Sequence, residues 1–470
     1  MGTNSHRVTL VLLALLAFCG CGRRRSQVQS WVWPGANRFN TLLFAQSGTR
    51  PESALHYTEV WEAEWFDVPP IEPVPAAAHS GHRPLTTDLD RDGRLEIVTS
   101  PLGRPPLTIL NAQGVPLTGR LPDGTDWARI QRDTVRIAAD DSAGWVVLPD
   151  SNLSRLGYGR MALRLNQRLV TLEVVREPGP VSLSRMLECR DVGDGRLQWR
   201  YEFGARPDLM AVADLDSDGR DDLLLTTYGE EKGAAANGTR DSDSCYCVAL
   251  RDDGTLLWQR GFGAHQSIGC LAGVAEMDRD DKPDVFVAVY SWRRDFGRLA
   301  ILDGATGVER ATTPDSSPVS YVSAGCADLD DDGRQELATV VCGEKAELLL
   351  YRLEGNRLEQ KARVNLGTGR EPGETGEGRL HAICDLDGDG RRELVVSRCR
   401  RRLISRDPVF SPSDYDTCSL LVLGSDLRRR QEIPLAMRCQ DVTLGDVIPG
   451  GSIELLVVTD RLRLYSSSAD

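Results

Sequence analysis

A nine-residue acidic segment recurs six times along the chain, and a short β-branched, apolar run follows each complete copy. The five complete copies are DLDRDGRLE at 88–96, DLDSDGRDD at 214–222, EMDRDDKPD at 276–284, DLDDDGRQE at 328–336 and DLDGDGRRE at 385–393. A sixth, DVIPGGSIE at 446–454, keeps only the first and last carboxylate. The runs that follow the complete copies are IVTS, LLLTTY, VFVAVYS, LATVVCG and LVVSRC. A tight turn that leads each time into a strand restricts the chain to an all-β array of similar units.

The turn carries its own chemistry. Carboxylates at positions 1, 3, 5 and 9 converge if the chain wraps tightly, and such a set of hard oxygens suits Ca²⁺. Glycine at position 6 permits the positive φ that a sharp wrap needs. The candidate ligands are Asp88, Asp90, Asp92 and Glu96; Asp214, Asp216, Asp218 and Asp222; Glu276, Asp278, Asp280 and Asp284; Asp328, Asp330, Asp332 and Glu336; and Asp385, Asp387, Asp389 and Glu393. An EF-hand also opens D-x-D-x-D-G, but it closes with Glu at position 12 between helices. Here the closing acid is at position 9 and a strand follows. Acidic turns without an ion are the plainer reading, and recurrence weighs against it. The 276–284 loop departs at positions 1 and 6, with Glu276 first and Asp281 in place of glycine. Asp tolerates the left-handed region better than most residues. The 446–454 loop, with Ile448 and Gly450 at positions 3 and 5, is expected to bind nothing and to persist as a turn.

Charge agrees with this reading. The formal net charge is −13, and five divalent ions would reduce it to about −3. No basic face or motif supplies phosphate contacts, so nucleic acid is not an expected partner. Catalytic signatures such as a serine-nucleophile elbow, a P-loop or HExxH do not occur.

Residues 1–21 read as an export signal: an apolar run from Val8 to Phe18, then Cys19-Gly20-Cys21-Gly22. The run is too short to span a bilayer. Cys21 after Gly20 is the expected lipidation site of a lipoprotein-type signal; a plain signal cut nearby is the alternative. Either places the mature chain outside the cytoplasm, with any membrane contact made through the lipid. Residues 22–56 are expected to be a tether. The remaining cysteines show no C-x-x-C zinc pair. Cys399 and Cys418, at the end of one expected strand and the start of the next, are placed for a cross-strand bridge.

Loop starts at 88, 214, 276, 328, 385 and 446 are 52–62 residues apart after a first interval of 126. Periods of this size with strand-only content indicate a β-propeller with one four-stranded sheet per unit. The double interval hides a degenerate second unit at 123–203. Its inner strands are expected in VRIAADDSAGWVVLPD at 135–150 and its outer hairpin in MLECRDVGDGRLQWRYEF at 186–203, with an insertion at 151–182 between. That makes seven units over 57–470, and the last has only three strands. The segment Glu59-Val60-Trp61-Glu62-Ala63-Glu64-Trp65 resembles the outer strands at 197–203 and 256–262. A latch strand over 57–66 is therefore expected to complete the last sheet and close the ring, removing an exposed edge.

The loops and the strands after them resemble FG-GAP (VCBS-type) repeats, as in the integrin α-subunit head, over about 79–460. That resemblance implies a seven-bladed β-propeller with structural Ca²⁺ in loops between first and second strands, held by positions 1, 3, 5 and 9 and the position-7 carbonyl. Hairpins LDGATG at 302–307 and DVGDGRLQW at 191–199 also resemble pyrroloquinoline-quinone-type propeller repeats, with no match to a cofactor site. The family includes adhesins, binding domains and some polysaccharide lyases.

The near ends of the inner strands hold His79, His82, Arg83, Arg206, His265, Tyr321, Arg379, His381 and Arg438. A ring of such groups at a channel mouth suits an anionic ligand such as an acidic glycan. Loop ends are polar in any case, so simple solvation is the competing account. Two functions follow: a monomeric, non-catalytic binding or scaffold protein of the cell envelope with a protein or glycan ligand, or a lyase-type enzyme acting on acidic polysaccharide.

Overall fold

The computed structural model describes residues 56–64, 85–87, 94–99, 108–117, 134–137, 146–149, 161–165, 168–173, 186–191, 196–202, 206–228, 245–262, 268–280, 282–291, 297–313, 320–342, 345–368, 374–402, 415–448, 453–459 and 461–467. Among them every regular element is a strand. The export signal with Cys21, the tether up to residue 55, and His79, His82, Arg83 and His265 lie outside the described residues, as do Asp88, Asp90 and Asp92.

The strands form consecutive antiparallel units. After β1 (Tyr57–Glu64), unit 1 holds β2 (Leu85–Thr87), β3 (Glu96–Thr99) and β4 (Thr108–Leu110). A separate hairpin, β5 (Thr134–Ile137) and β6 (Val146–Pro149), precedes unit 2. Unit 2 is β7 (Met161–Leu165), β8 (Arg168–Glu173), β9 (Met186–Asp191) and β10 (Leu197–Glu202). Unit 3 is β11 (Arg206–Ala213), β12 (Asp222–Tyr228), β13 (Tyr246–Leu250) and β14 (Leu256–Gly261). Unit 4 is β15 (Ile268–Ala275), β16 (Asp284–Ser291), β17 (Gly297–Asp303) and β18 (Glu309–Thr312). A single pairing, Tyr228 with Gly269, joins units 3 and 4. Unit 5 is β19 (Ser320–Ala327), β20 (Glu336–Cys342), β21 (Lys345–Glu354) and β22 (Arg357–Thr368). Unit 6 is β23 (Glu374–Cys384), β24 (Glu393–Arg402), β25 (Tyr415–Leu423) and β26 (Arg429–Leu435). Unit 7 is β27 (Asp441–Gly445), β28 (Glu454–Val458) and β29 (Arg461–Ser467), with β1 as its fourth strand.

The expected inner strands of unit 2 are displaced. Among the described residues Thr134–Ile137 and Val146–Pro149 pair with each other, and it is β8, inside the expected insertion, that pairs with β9 from Arg168↔Asp191 to Glu173↔Met186.

Burial explains why the second strands read as unbroken apolar runs. Every residue of β20 and β28 is buried. A strand covered on both faces cannot alternate. The covering comes from neighbouring units in chain order. One core joins Phe286 and Ile301 of unit 4 to Leu337 and Tyr351 of unit 5, and another joins Val340 and Leu348 of unit 5 to Leu394 and Val396 of unit 6. A third joins Leu420 of unit 6 to Leu455 of unit 7. Ile97 and Leu110 of unit 1 pack on Leu456 and Leu464 of unit 7.

The outer strands carry a second repeated device. Trp199 on β10 donates its indole N–H to Asp252 O at 2.9 Å in the hairpin turn of unit 3. Trp258 on β14 does the same to Gly304 O at 2.7 Å in unit 4, and Trp61 on β1 to Ala112 O at 2.8 Å in unit 1. Each ring lies against a turn glycine of positive φ, Gly254, Gly307 and Gly114 respectively. A Cβ there would approach the indole to between 2.6 and 2.9 Å.

The ten described cysteines are buried free thiols. Cys399 and Cys418 are hydrogen-bonded to each other as thiols, and this contact, with burial, raises Cys399.

Candidate metal centres

The acidic loops sit between the first and second strands of units 3 to 6, and their wrap has one pattern. The position-9 carboxylate is buried in each and accepts the backbone N–H of position 2: Leu215 N to Asp222 at 3.0 Å, Met277 N to Asp284 at 3.2 Å, Leu329 N to Glu336 at 2.9 Å and Leu386 N to Glu393 at 2.9 Å. Position 2 is itself a buried apolar plug. Position 4 takes a left-handed conformation in all four: Ser217, Arg279, Asp331 and Gly388 have φ of 61°, 67°, 58° and 76°. Glycine at position 6 has positive φ at Gly219, Gly333 and Gly390, and its N–H turns inward to the first Asp.

The wrap brings carboxylates together. Oxygen atoms of Asp214, Asp216 and Asp218 all lie within 4.8 Å of one another. The same holds for Glu276, Asp278 and Asp280; for Asp328, Asp330 and Asp332; and for Asp385, Asp387 and Glu393. That spacing fits oxygens on opposite sides of an ion with a Ca–O distance of about 2.4 Å. Asp278 Oδ1 and Asp328 Oδ1 are buried and accept no hydrogen bond. In unit 1, Glu96 is buried like its counterparts.

Electrostatics shows what the clusters need. Burial pushes Glu393 up to about 8, opposed by the Leu386 N–H and aided by Asp387, Asp389 and Asp385. Burial likewise lifts Asp222 to about 7 and Asp284 to about 6. Crowded, desolvated acids resist ionising until a positive charge arrives.

In two loops a guanidinium is that charge. Arg310 Nη1 is 2.6 Å from Asp284, and its Nη2 bonds Asp278. Burial alone would raise Asp278, but Arg310 lowers it overall. Arg352 donates to Glu336 at 2.8 Å, Asp332 at 3.0 Å and Asp330 at 2.6 Å. Neither arginine is signalled by the loop motif. Each lies on a later strand, and only pairing register brings it back.

In the 446–454 segment, the described ends are tied together by Glu454. Glu454 accepts Val447 N at 2.7 Å and Ile448 N at 3.2 Å, and Ser466 Oγ donates to its other oxygen at 3.0 Å.

The proposed channel ring fares differently. Arg206 is the first residue of β11 and Tyr321 the second of β19. His381 is buried, with Nε2 2.8 Å from Ser397 Oγ and Nδ1 3.8 Å from Asp441. Arg379 donates to Gln440 O at 3.1 Å, and Arg438 lies 3.6 Å from Glu377. These three predicted residues do come together, but as a polar seam between β23 and the 438–441 segment. His381 is therefore corrected from a ligand-facing to an interior residue.

No family model and no curated protein matches the chain. Among solved structures, an exotype rhamnogalacturonan lyase, YesX, is similar at TM-score 0.35 and 14% identity, over 64% of this chain and 62% of that one. The Dos1 propeller is similar at TM-score 0.35 and 11% identity, over 65% and 77%. The V. cholerae biofilm matrix protein Bap1 is similar at TM-score 0.33 and 12% identity, over 82% and 77%. The chain thus spans less than two thirds of the lyase, and none of these likenesses carries a function to it.

Proposed function

We propose that the chain is a seven-bladed, calcium-stabilised β-propeller of the FG-GAP type, acting outside the cytoplasm as a non-catalytic binding scaffold anchored through Cys21. The observation that carries this reading is the convergence of loop carboxylates to ion-sized spacing at 214–222 and 385–393. There Asp214, Asp216, Asp218 and Asp222, and Asp385, Asp387, Asp389 and Glu393, would hold Ca²⁺ together with the carbonyls of Arg220 and Arg391. The ion supplies charge neutralisation. The chain supplies the wrap, the buried position-2 plug and the position-9 acceptor that orient the oxygens. A set of ligands drawn from one loop leaves little room for substrate, which favours a structural over a catalytic ion. Ring closure is supported by β1 in unit 7 and by Trp61 on unit 1.

Lyase action on acidic glycans draws nothing from His381, whose ring is interior. The discriminating experiment combines elemental analysis of the purified protein with incubation on pectin-like polymers in Ca²⁺. Bound calcium without ultraviolet-absorbing unsaturated product is the expected result. Product formed at an enzymatic rate overturns the scaffold reading, and a protein devoid of calcium overturns the metal reading.

A further inference from the structure

We infer that Arg310 and Arg352 are built-in cations that replace the divalent ion in loops 276–284 and 328–336, so that calcium is confined, among the described loops, to 214–222 and 385–393. The inference rests on the calcium reading of those last two loops.

Register explains the difference between loops. In unit 5 Leu337 pairs with Tyr351, which sets Arg352 opposite Glu336. Its side chain is only 14% exposed and bonds positions 3, 5 and 9 of the loop at once. A planar guanidinium with five donors fills the space between those oxygens. An ion at the shared centre would have to displace it against both charge and volume. Arg279 of the neighbouring loop adds a further contact to Asp332 at 3.3 Å. In unit 4 the residue opposite position 9 is Asp303, and the cation comes instead from the fourth strand. The ladder skips Arg310 between Glu309 and Ala311, and this bulge turns Arg310 onto Asp278 and Asp284. This is also the loop whose sequence departs from the repeat, with Glu276 first and Asp281 at position 6.

The other two loops lack this arrangement. Arg251 holds the Arg352 register in unit 3, yet its Nη2 reaches Asp216 only at 3.5 Å, and the side chain is 45% exposed. In unit 6 that register falls on Gly424. Arg430 occupies the Arg310 bulge there, but it is exposed and, among the described residues, hydrogen-bonds none of Asp385, Asp387 or Glu393. It acts on Asp387 through charge alone.

The test counts calcium per full-length chain by elemental analysis after equilibrium dialysis, with circular dichroism confirming the fold of each variant. Asp214→Asn and Asp385→Asn are each expected to remove one ion. Asp278→Asn and Asp330→Asn are expected to remove none, and a loss of one ion in either overturns the inference. Arg352→Ala is expected to gain one ion and Arg352→Lys to gain none. A folded Arg352→Ala that gains nothing also overturns it; should that variant not fold, the Asp330→Asn count decides. If neither Asp214→Asn nor Asp385→Asn lowers the count, the calcium reading itself fails, and this inference fails with it.

Discussion

Trp61 donates its indole N–H to the backbone oxygen of Ala112 at 2.8 Å, across the junction between the last sheet and the first. Four residues earlier on the same strand, Tyr57 donates its hydroxyl to Ile453 O at 2.9 Å, while its backbone exchanges hydrogen bonds with Gln431 of unit 6. One strand thus engages units 6, 7 and 1. Glu62 adds an ion pair to Arg463 at 2.7 Å and one to Arg461. Trp61→Ala is expected to cost about 2–4 kcal/mol, discounted from a full core truncation because the ring is half-buried. Urea unfolding measures it. A loss below about 0.5 kcal/mol removes the case for β1 as a structural latch. Deleting 57–64 leaves β29 as an open edge and should cause association, visible by light scattering.

The turn glycines give a sharper test of the same device. Gly307 has φ of 66°, and its Cβ would lie 2.6 Å from the Trp258 ring. Gly307→Ala should therefore cost at least about 1–2 kcal/mol from the left-handed backbone alone, with displacement of the indole in addition. Gly355 has φ of 60° but nothing within 4 Å of its Cβ. Gly355→Ala should show the backbone contribution without the clash. Equal losses in the two variants would mean that indole stacking contributes nothing.

Much of this architecture is legible in the sequence because its determinants are local. Strand-forming runs, turn glycines and the acidic repeat each fall within about a dozen residues. The likeness of the Trp61 segment to the outer strands likewise anticipated where β1 pairs. The pairing of β8 with β9 in unit 2 was not legible, because the sequence between β7 and β8 contains no glycine to mark a hairpin. The roles of Arg310 and Arg352 were not legible. Their contacts depend on register and on a bulge, which loop spacing does not encode. Position 9 was read as a ligand, but its second oxygen also holds the loop closed.

His381 separates an interior role from a ligand-binding one. Its Nε2 is 2.8 Å from Ser397 Oγ on β24, and Nδ1 of the buried ring is 3.8 Å from Asp441. His381→Ala should cost about 1–3 kcal/mol through the lost hydrogen bond and packing. Retention on immobilised acidic glycan should be unchanged in the folded variant. Retention lost while stability is kept would restore His381 to a binding site.

Chelation should destabilise the native protein. If only the folded state binds, free Ca²⁺ at about 100 times Kd adds about 2.7 kcal/mol per site. EGTA should therefore lower Tm in wild type and lower it less in Asp214→Asn. Identical melting of both proteins with and without chelator would show that loop 214–222 binds nothing of consequence.

Glu454 and Glu393 occupy the same loop position and should answer to substitution in opposite ways. Glu454 accepts two N–H groups and a hydroxyl in a loop without the other ligands, so its task is hydrogen bonding. Glu454→Gln keeps an acceptor and should cost less than about 1 kcal/mol, whereas Glu454→Leu strands two buried donors and should cost about 2–5 kcal/mol. Both effects should be indifferent to calcium. Glu393 is pushed up by burial first, and by the adjoining Asp387, Asp389 and Asp385. Glutamine there still accepts the Leu386 N–H but removes one crowded negative charge. In EGTA Glu393→Gln should therefore be as stable as wild type or more so. In excess calcium it should be less stable, because wild type alone gains the full ion affinity. Parallel urea titrations in the two buffers read this crossing directly, and curves that keep the same order in both would place Glu393 outside the ion's coordination.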